Sequence, residues 1–524
     1  MKRVILILAI TIYAFSWQYY ADLGGGLDES RDVDQCADGG FFITGRSNGW
    51  AHEGYYNNWY DHEMFLVKLN PNGEREWVRH YGQTGWFIYG SDTIGYYDAG
   101  WSVAATADSG AIIVGKTQSP KWTDPMLAGH PDCPGQDNVF IVRVDKYGDT
   151  LWTKGYGGDE FDRAWCVKTI PESSDFFLVG PTSSYGLDAP AGDINNLWIM
   201  RIDSEGEIIH ESFWCDSTRG GYADVRWCVV TPDGGLAMAG ATDMHDTTYM
   251  EDGEEITRRI SDVIVVRTDA ECNILWATQF GRGYDSYSRG ICNAWDGGFY
   301  VATKDRYPAR TWIIKLNDEG DTLWSRYVGV HDIDTSMVLA NYNMIIQGHD
   351  DGYILSGGGG GFAQLAKFDS DMDDNLWNAY YEYGDRGETF LSCCATSDGG
   401  ACGAGYTYSV APSAYSDIFV GRCNGVGADF EGVSEKTPPK PDYVDIIASP
   451  NPFNSIVDIK IDINKYQDYA VQIFSNDGRI IKDYNFARDG RISWIPNPEL
   501  PSGLYTIRAV SENFDISESI LFIK

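Results

Sequence analysis

The sequence predicts an all-β chain, a seven-bladed β-propeller followed by a small immunoglobulin-like β-sandwich, and three observations lead there. Two short phrases recur in tandem seven times, the composition turns Pro-rich and polar after residue 430, and the chain ends in four short alternating apolar runs. No segment of comparable length has a convincing 3.6-residue apolar period, so helices are not expected.

The first phrase appears as "DGGFFITG" (38–45), "DSGAIIVG" (108–115), "SSDFFLVG" (173–180), "DGGLAMAG" (233–240), "DGGFYVAT" (296–303), "DDGYILSG" (350–357) and "DGGACGAG" (398–405). The second follows each copy: "FLVKLNPNGEREW" (65–77), "FIVRVDKYGDTLW" (140–152) and "WIIKLNDEGDTLW" (312–324) are typical. A period of roughly 50 to 70 residues is that of a four-stranded propeller blade. Within each copy, aromatic and β-branched runs bounded by Gly, Asp and Asn read as strands, and "DGG" and "D-x-x-G" supply the positive φ of two hairpin turns. The Trp closing the second phrase is expected to pack between blades.

Taken from the start, "MKRVILILAITIYAFS" joins Lys2 and Arg3 to an apolar run and a small-residue cleavage site, so residues 1–16 are expected to be a secretory signal. No later run reaches the length of a membrane span. The propeller is assigned to residues 17–432. Its seventh copy ends at Phe430 where others have Trp, while "WQYYADLGGG" from Trp17 matches the outer strand "WTKGYGG" at 152–158. The N-terminal strand is therefore expected to complete the last blade and pair the free edges of an open array. Residues 433–443 form a Pro-rich linker. Residues 444–524 contain the runs "VDIKIDI", "YAVQIFS", "GLYTIRAV" and "SESILFIK".

Charge excludes one class of partner. Against 76 acidic residues stand 40 basic ones, a formal charge of −36, which repels a phosphate backbone and makes nucleic acid an unsuitable ligand. Eleven cysteines are expected mainly as buried thiols, because Cys166, Cys228, Cys292 and Cys393 recur just before turns where a small side chain packs. Cys394 or Cys393 with Cys402, across one hairpin, is the best disulfide candidate.

The tail resembles the type A C-terminal sorting domain of the type IX secretion system. The matching features are "SPNPFN" (449–454), the hairpin "IFSNDGRIIKDY" (473–484), "LPSGLYTIRAV" (500–510) and a final strand ending at Lys524. That resemblance implies export across the outer membrane, a secreted or surface address, and the type IX machinery as a partner of residues 444–524. The repeats are similar to those of secreted bacterial propellers joined to such tails, which implies a fold and no particular activity. Two enzymatic propeller motifs fit poorly. Against the sialidase Asp-box, "LNDEGDTLW" has Leu316 for the serine and an extra Leu323, and the quinoprotein tryptophan-docking repeat needs a Thr before its Gly.

The candidate sites divide into chemical and binding ones. "GRSNG" (45–49) matches a nucleophile elbow, but the same slot recurs as "GKTQS" and "GATDM" with no helix after it, so Ser47 is a repeat residue. Asp369, Asp371 and Asp373 alternate as hard cations prefer; a solvated turn competes with Ca²⁺ there, and no other cofactor is indicated. The eight histidines have no metal-ligand spacing and no catalytic residue is singled out. Lys68, Arg143, Arg201, Arg267, Lys315 and Lys367 precede the second turn and are expected to pair with neighbouring acids. Arg31, Arg226 and Arg289 share a phase at the start of the innermost strand, where they either form interblade ion pairs or ring the channel mouth and take a carboxylate.

Blade geometry places both repeated turns on one face and the variable loops on the other. The loops of the first two blades carry Trp50, Tyr55, Tyr56, Trp59, Trp86, Tyr96, Tyr97 and Trp122, suited to stacking on sugar or gripping a peptide. The expected function is a monomeric, non-enzymatic binding or adhesion scaffold for a polysaccharide or peptide. The alternative is a carbohydrate-active hydrolase or lyase using paired loop carboxylates.

Overall fold

The computed structural model describes residues 16–23, 26–48, 62–82, 86–89, 92–95, 97–118, 137–186, 196–215, 223–242, 245–251, 254–281, 285–305, 310–327, 344–359, 361–381, 387–408, 416–425, 444–449, 457–463, 469–475, 479–486, 491–497, 500–510 and 515–524. The chain divides into two compact units, Met1–Trp77 with Tyr81–Glu431 and Val78–His80 with Gly432–Lys524.

Among the described residues the first unit contains seven four-stranded antiparallel sheets, six of them built in chain order from the inside outward and the seventh in chain order but for its outermost strand. The first runs through Asp28–Gln35, Phe41–Ser47, Glu63–Leu69 and Arg75–Tyr81; the second through Ala99–Ala105, Ala111–Thr117, Asn138–Val144 and Thr150–Tyr156. The innermost strands of successive sheets pack together in order, and that of the seventh packs on that of the first, which closes a seven-bladed propeller. The sequence expectation of the seam holds residue by residue. Trp17–Ala21 is the outer strand of the seventh blade, paired with Asp417–Cys423 in the register Trp17↔Arg422 to Ala21↔Ile418. Trp152 pairs with Arg143 in the same way, so Trp17 stands in the tryptophan slot of the repeat.

That slot explains why the phrase ends in Trp and contains Gly. The Trp152 indole N–H donates to the Ser204 carbonyl in the next blade's turn at 2.9 Å, Trp276 to Asp318 at 2.9 Å, and Trp17 to Pro71 at 3.0 Å. Each ring lies over the turn glycine: a Cβ on Gly73 would sit 2.5 Å from Trp17, and one on Gly206 or Gly320 2.8 Å from Trp152 or Trp276. These glycines also have φ between 81° and 86°, so they meet a backbone and a packing requirement at once.

The recurring cation pairs inside its own blade. Its partner is an aspartate of the first turn: Lys68 with Asp38 at 2.9 Å, Arg143 with Asp108 at 2.5 Å, Arg201 with Asp175, which closes its turn, at 2.7 Å, Arg267 with Asp233 and Lys315 with Asp296 at 2.5 Å. Lys367 joins Asp350, and a seventh member, Arg422, joins Asp398 at 2.8 Å. The stem crosses the sheet beneath the turn, so Lys315 is 1% exposed while Asp296 is 68% exposed.

Asp32 knits three blades from the inside. It accepts from Ser102 Oγ at 2.7 Å and Val103 N at 3.1 Å in the second blade, and from Ser392 Oγ at 2.5 Å in the seventh. All ten described cysteines are buried thiols. Cys228 and Cys393 occupy one register, two residues before the last paired residue of their strands, whereas Cys166 and Cys292 are displaced from it by one residue in opposite directions.

In the second unit a three-stranded sheet (Val444–Ser449, Val457–Ile463, Arg491–Trp494) and a four-stranded sheet (Ile480–Phe486, Tyr469–Ser475, Gly503–Val510, Asp515–Phe522) share one core. Ile459, Ile461 and Trp494 from one meet Ile473, Ile507 and Phe522 from the other.

Candidate binding site at the mouth of the ring

A repeated irregularity builds the site. In five blades the innermost strand slips by one residue against its neighbour at the same place: between Ser30 and Asp32, Gly100 and Ser102, Val225 and Trp227, Ser288 and Gly290, and Phe390 and Ser392. The extra residues are Arg31, Trp101, Arg226, Arg289 and Leu391. In the third blade Trp165 takes the equivalent place, just before the strand Cys166–Thr169, with its N–H on the Val179 carbonyl at 2.8 Å. A bulge frees one side chain from the ladder and re-aims it. Here the freed side chains meet across blades. Arg31 lies 4.7 Å over Trp101, Trp101 and Trp165 are 4.6 Å apart, and Arg226 lies 4.9 Å over Trp165. Arg289 sits 5.6 Å from the ring of Tyr287 on its own strand.

Of the two arginine expectations, the ion pairs described for Arg31 and Arg226 lie within their own strands and not between blades. Arg31 bonds Glu29, and Arg226 bonds Asp224 at 2.5 Å, each a carboxylate two residues back on the same strand. The bulge turns both guanidiniums toward a partner on their own strand while their faces cover the neighbouring indoles. Among the described residues Trp101 Nε1, Trp165 Nε1 and Arg31 Nε are buried donors without an acceptor.

Outward of the arc, cations alternate with two buried carboxylates. Glu29 also binds Arg46 at 2.8 Å; Asp137 takes Lys116 at 3.0 Å, Gln118 at 2.8 Å and Arg163 at 2.5 Å. Tyr97 links the two groups: its hydroxyl accepts from Arg46, its ring carries the Lys116 ammonium at 3.8 Å, and it stacks on His62 at 4.5 Å. Burial alone would raise Glu29, yet Arg31 and Arg46 hold it below the usual carboxylate value. Burial, with Arg163 and Arg46 opposing Asp137, brings Lys116 down to about 8. Burial, reinforced by Arg46, Lys116 and Arg31, drives His62 down to about 3.

Of the aromatic loop residues expected to bind, the structure places Tyr97 in this cluster, 9% exposed. Trp86 opens a two-stranded hairpin, Trp86–Tyr89 with Asp92–Gly95. Trp50, Tyr55, Tyr56, Trp59, Tyr96 and Trp122 lie outside the described residues. Trp101 was open to detection, since it stands seven residues before Asp108 as Arg31 does before Asp38. Trp165 was hidden by the altered turn "PESSD" (171–175) of its blade.

Ser47 ends a strand, fully buried, as a repeat residue should. In the proposed calcium turn, Asp369 accepts the N–H groups of Asp373 at 2.8 Å and Asp374 at 3.2 Å, and Asp373 pairs with Arg326. The group of three among the described residues that offers ligand atoms within 4.8 Å of one another is instead Asp22, Asp28 and Asp417, at the seam of the ring.

Comparison with known proteins separates the two units. Residues 449–524 match the family described as secretion system C-terminal sorting domain. No curated protein matches the chain. Among solved structures, the chain is similar to a protein of unknown function from Bacteroides caccae (12% identity, 60% of this chain and 89% of that one, TM-score 0.37). It is also similar to the Dos1 propeller (9% identity, 78% and 95%, TM-score 0.39) and to a putative glucose dehydrogenase from Thermus thermophilus (10% identity, 62% and 96%, TM-score 0.34). No helix among the described residues is long and apolar enough to cross a membrane. The chain is thus an exported β-propeller protein that carries a type IX sorting domain and has a secreted or cell-surface address.

Proposed function

We propose that the propeller is a non-enzymatic, monomeric binding scaffold that presents the loop face of its first three blades to a polysaccharide or peptide. The observation that carries this reading is the repeated bulge: an irregularity kept at one position in blade after blade, filled with Arg and Trp, re-aims polar and aromatic side chains together at one mouth. The hydrolase or lyase alternative gains nothing from the two carboxylates that the cations of the mouth hold, Glu29 and Asp137. Each is held by two cations, and Glu29, kept below its usual value, cannot protonate a leaving group at neutral pH. The sorting domain hands the folded scaffold to the type IX machinery.

A glycan and peptide array probed at low and high salt tests the reading. Binding to sugar through aromatic contact survives salt, whereas binding of a basic peptide by the acidic surface weakens. Replacing Trp101 and Trp165 by Ala, or Trp59 and Trp86 by Ala, assigns a hit to the mouth or to the outer loops. The proposal fails if neither pair alters binding, or if the protein turns over a polysaccharide substrate.

A further inference from the structure

Thiols that touch each other have a different fate in an exported protein from thiols that touch only hydrocarbon, because export takes the chain into an oxidising space. Two pairs of buried cysteines meet. Cys394 and Cys402 are direct cross-strand partners in the inner hairpin of the seventh blade. Opposed residues of an antiparallel pair share a face with Cα atoms about 4.5–5.5 Å apart. A disulfide needs about 4.4–6.8 Å. Cys166 and Cys228 come from the innermost strands of the third and fourth blades; both are 0% exposed in one core cluster, and their thiols bond to each other. Other cysteines have partners that are not sulfur: Cys393 lies beside Ser356 and Cys423 beside Tyr381.

We propose that the exported protein carries two cystines, Cys394–Cys402 within the seventh blade and Cys166–Cys228 between the third and fourth. In each, two S–H bonds break and one S–S bond forms. The two protons go to water and the two electrons reduce the active-site disulfide of a thiol–disulfide oxidoreductase through a mixed disulfide. The exchange needs a thiolate and an open approach: the hydrogen bond to Cys402 and burial push the Cys394 thiol well up, and burial does the same at Cys228. Although at Cys166 burial is outweighed by Cys228 and Lys168, which hold it below its ordinary value, all four side chains are buried in the closed ring. Oxidation therefore precedes closure of the ring, while the strands are open. One bridge then secures the hairpin on which the seam is built, and the other ties two blades whose remaining contacts are non-covalent.

The test uses full-length protein recovered from the medium of a type IX-competent host, denatured in an alkylating reagent without reductant, digested and mapped by mass spectrometry. The expected result is two linked peptide pairs, 394 with 402 and 166 with 228, with these four cysteines unalkylated. Reduction before denaturation should be slow, and reduced, alkylated protein should melt at lower temperature. Alkylation of all four cysteines, or linkage to any other cysteine, overturns the proposal. The variants Cys394→Ser with Cys402→Ser, and Cys166→Ser with Cys228→Ser, give a second reading: each should shift the melting temperature in oxidising medium and leave it unchanged in reducing medium. A shift equal in both media assigns the loss to packing and overturns the bridge.

Discussion

On the turn face of the ring all seven blades repeat one chemistry, whereas at the mouth on the loop face the equivalent position is Arg, Trp, Trp, Arg, Arg or Leu. The turn face pairs the recurring cation with an aspartate of its own blade in all seven blades, the cation buried and the aspartate exposed in five of them, and its Trp–Gly contacts recur from one blade to the next. The loop face keeps the backbone bulge and varies what stands on it. Uniform chemistry is what a ring needs at interfaces that must all hold, since repeat stability is a sum over neighbouring contacts. Variation on a fixed backbone device is what a recognition surface needs.

The largest expected effect attacks the turn-face rule where it spans the chain ends. Deleting residues 17–26 removes the strand that fills the seventh blade and should abolish cooperative unfolding of the ring. Trp17→Ala, which only empties the slot over Gly73, should cost about 3 kcal/mol in a urea titration. Unfolding that is unaltered by the deletion would break the closure scheme.

Acid sharpens the comparison from the loop side. His62 has a folded pKa of about 3 against an ordinary value of 6.5, so it stays neutral in the fold while the unfolded chain takes a proton. Its contribution is complete above pH 6.5 and is lost as the pH falls toward 3, up to about 5 kcal/mol in all. His62→Gln should flatten that limb of a stability-against-pH curve. An unchanged slope would mean that the imidazole is not sealed in this cluster.

A smaller loss is expected on the turn face from Asp296→Ala, which leaves the Lys315 ammonium with the Gly297 carbonyl as its remaining partner among the bonds described. Because Asp296 is mostly exposed, the cost should be about 1–2 kcal/mol by chemical denaturation. The same change at Asp350 should cost as much.

The smallest effect should be a gain. Ser109 and Glu172 take φ of 69° and 61° in first turns, and Cys272 and Met372 take 65° and 61° where other second turns have Gly. Cys272 and Met372 are buried and have packing to lose. Ser109→Gly and Glu172→Gly should stabilise by about 0.5–1 kcal/mol in thermal melts.

Sequence reasoning reached the periodic parts of this molecule because period, turn and strand are local properties. Blade count, turn chemistry and Trp17 as the missing tryptophan all follow from comparing copies along the chain. That Lys68 and Arg143 pair with acids was legible, but which acids was not, because a long side chain crosses to the next strand and ends under the turn at Asp38 or Asp108, a reach that spacing along one strand does not reveal. The mouth was half legible. Arg31, Arg226 and Arg289 share a phase, but attention to charge alone passed over Trp101 at the same phase. The bulge that makes the position matter leaves no composition signal, and the hairpin His245–Glu251 with Glu254–Ile260, inserted in the fourth blade, has none of the repeat's phrases.

The most direct measurement is a paired one, stability and ligand binding in the same two variants. Trp101→Ala with Trp165→Ala on the loop face should lose binding to the array-selected glycan or peptide and melt within a few degrees of the parent. Trp152→Ala on the turn face should lose about 3 kcal/mol of stability and, below its melting temperature, bind as the parent does. If the loop-face pair binds normally while Trp152→Ala abolishes binding in a folded protein, the division of labour between the two faces is wrong.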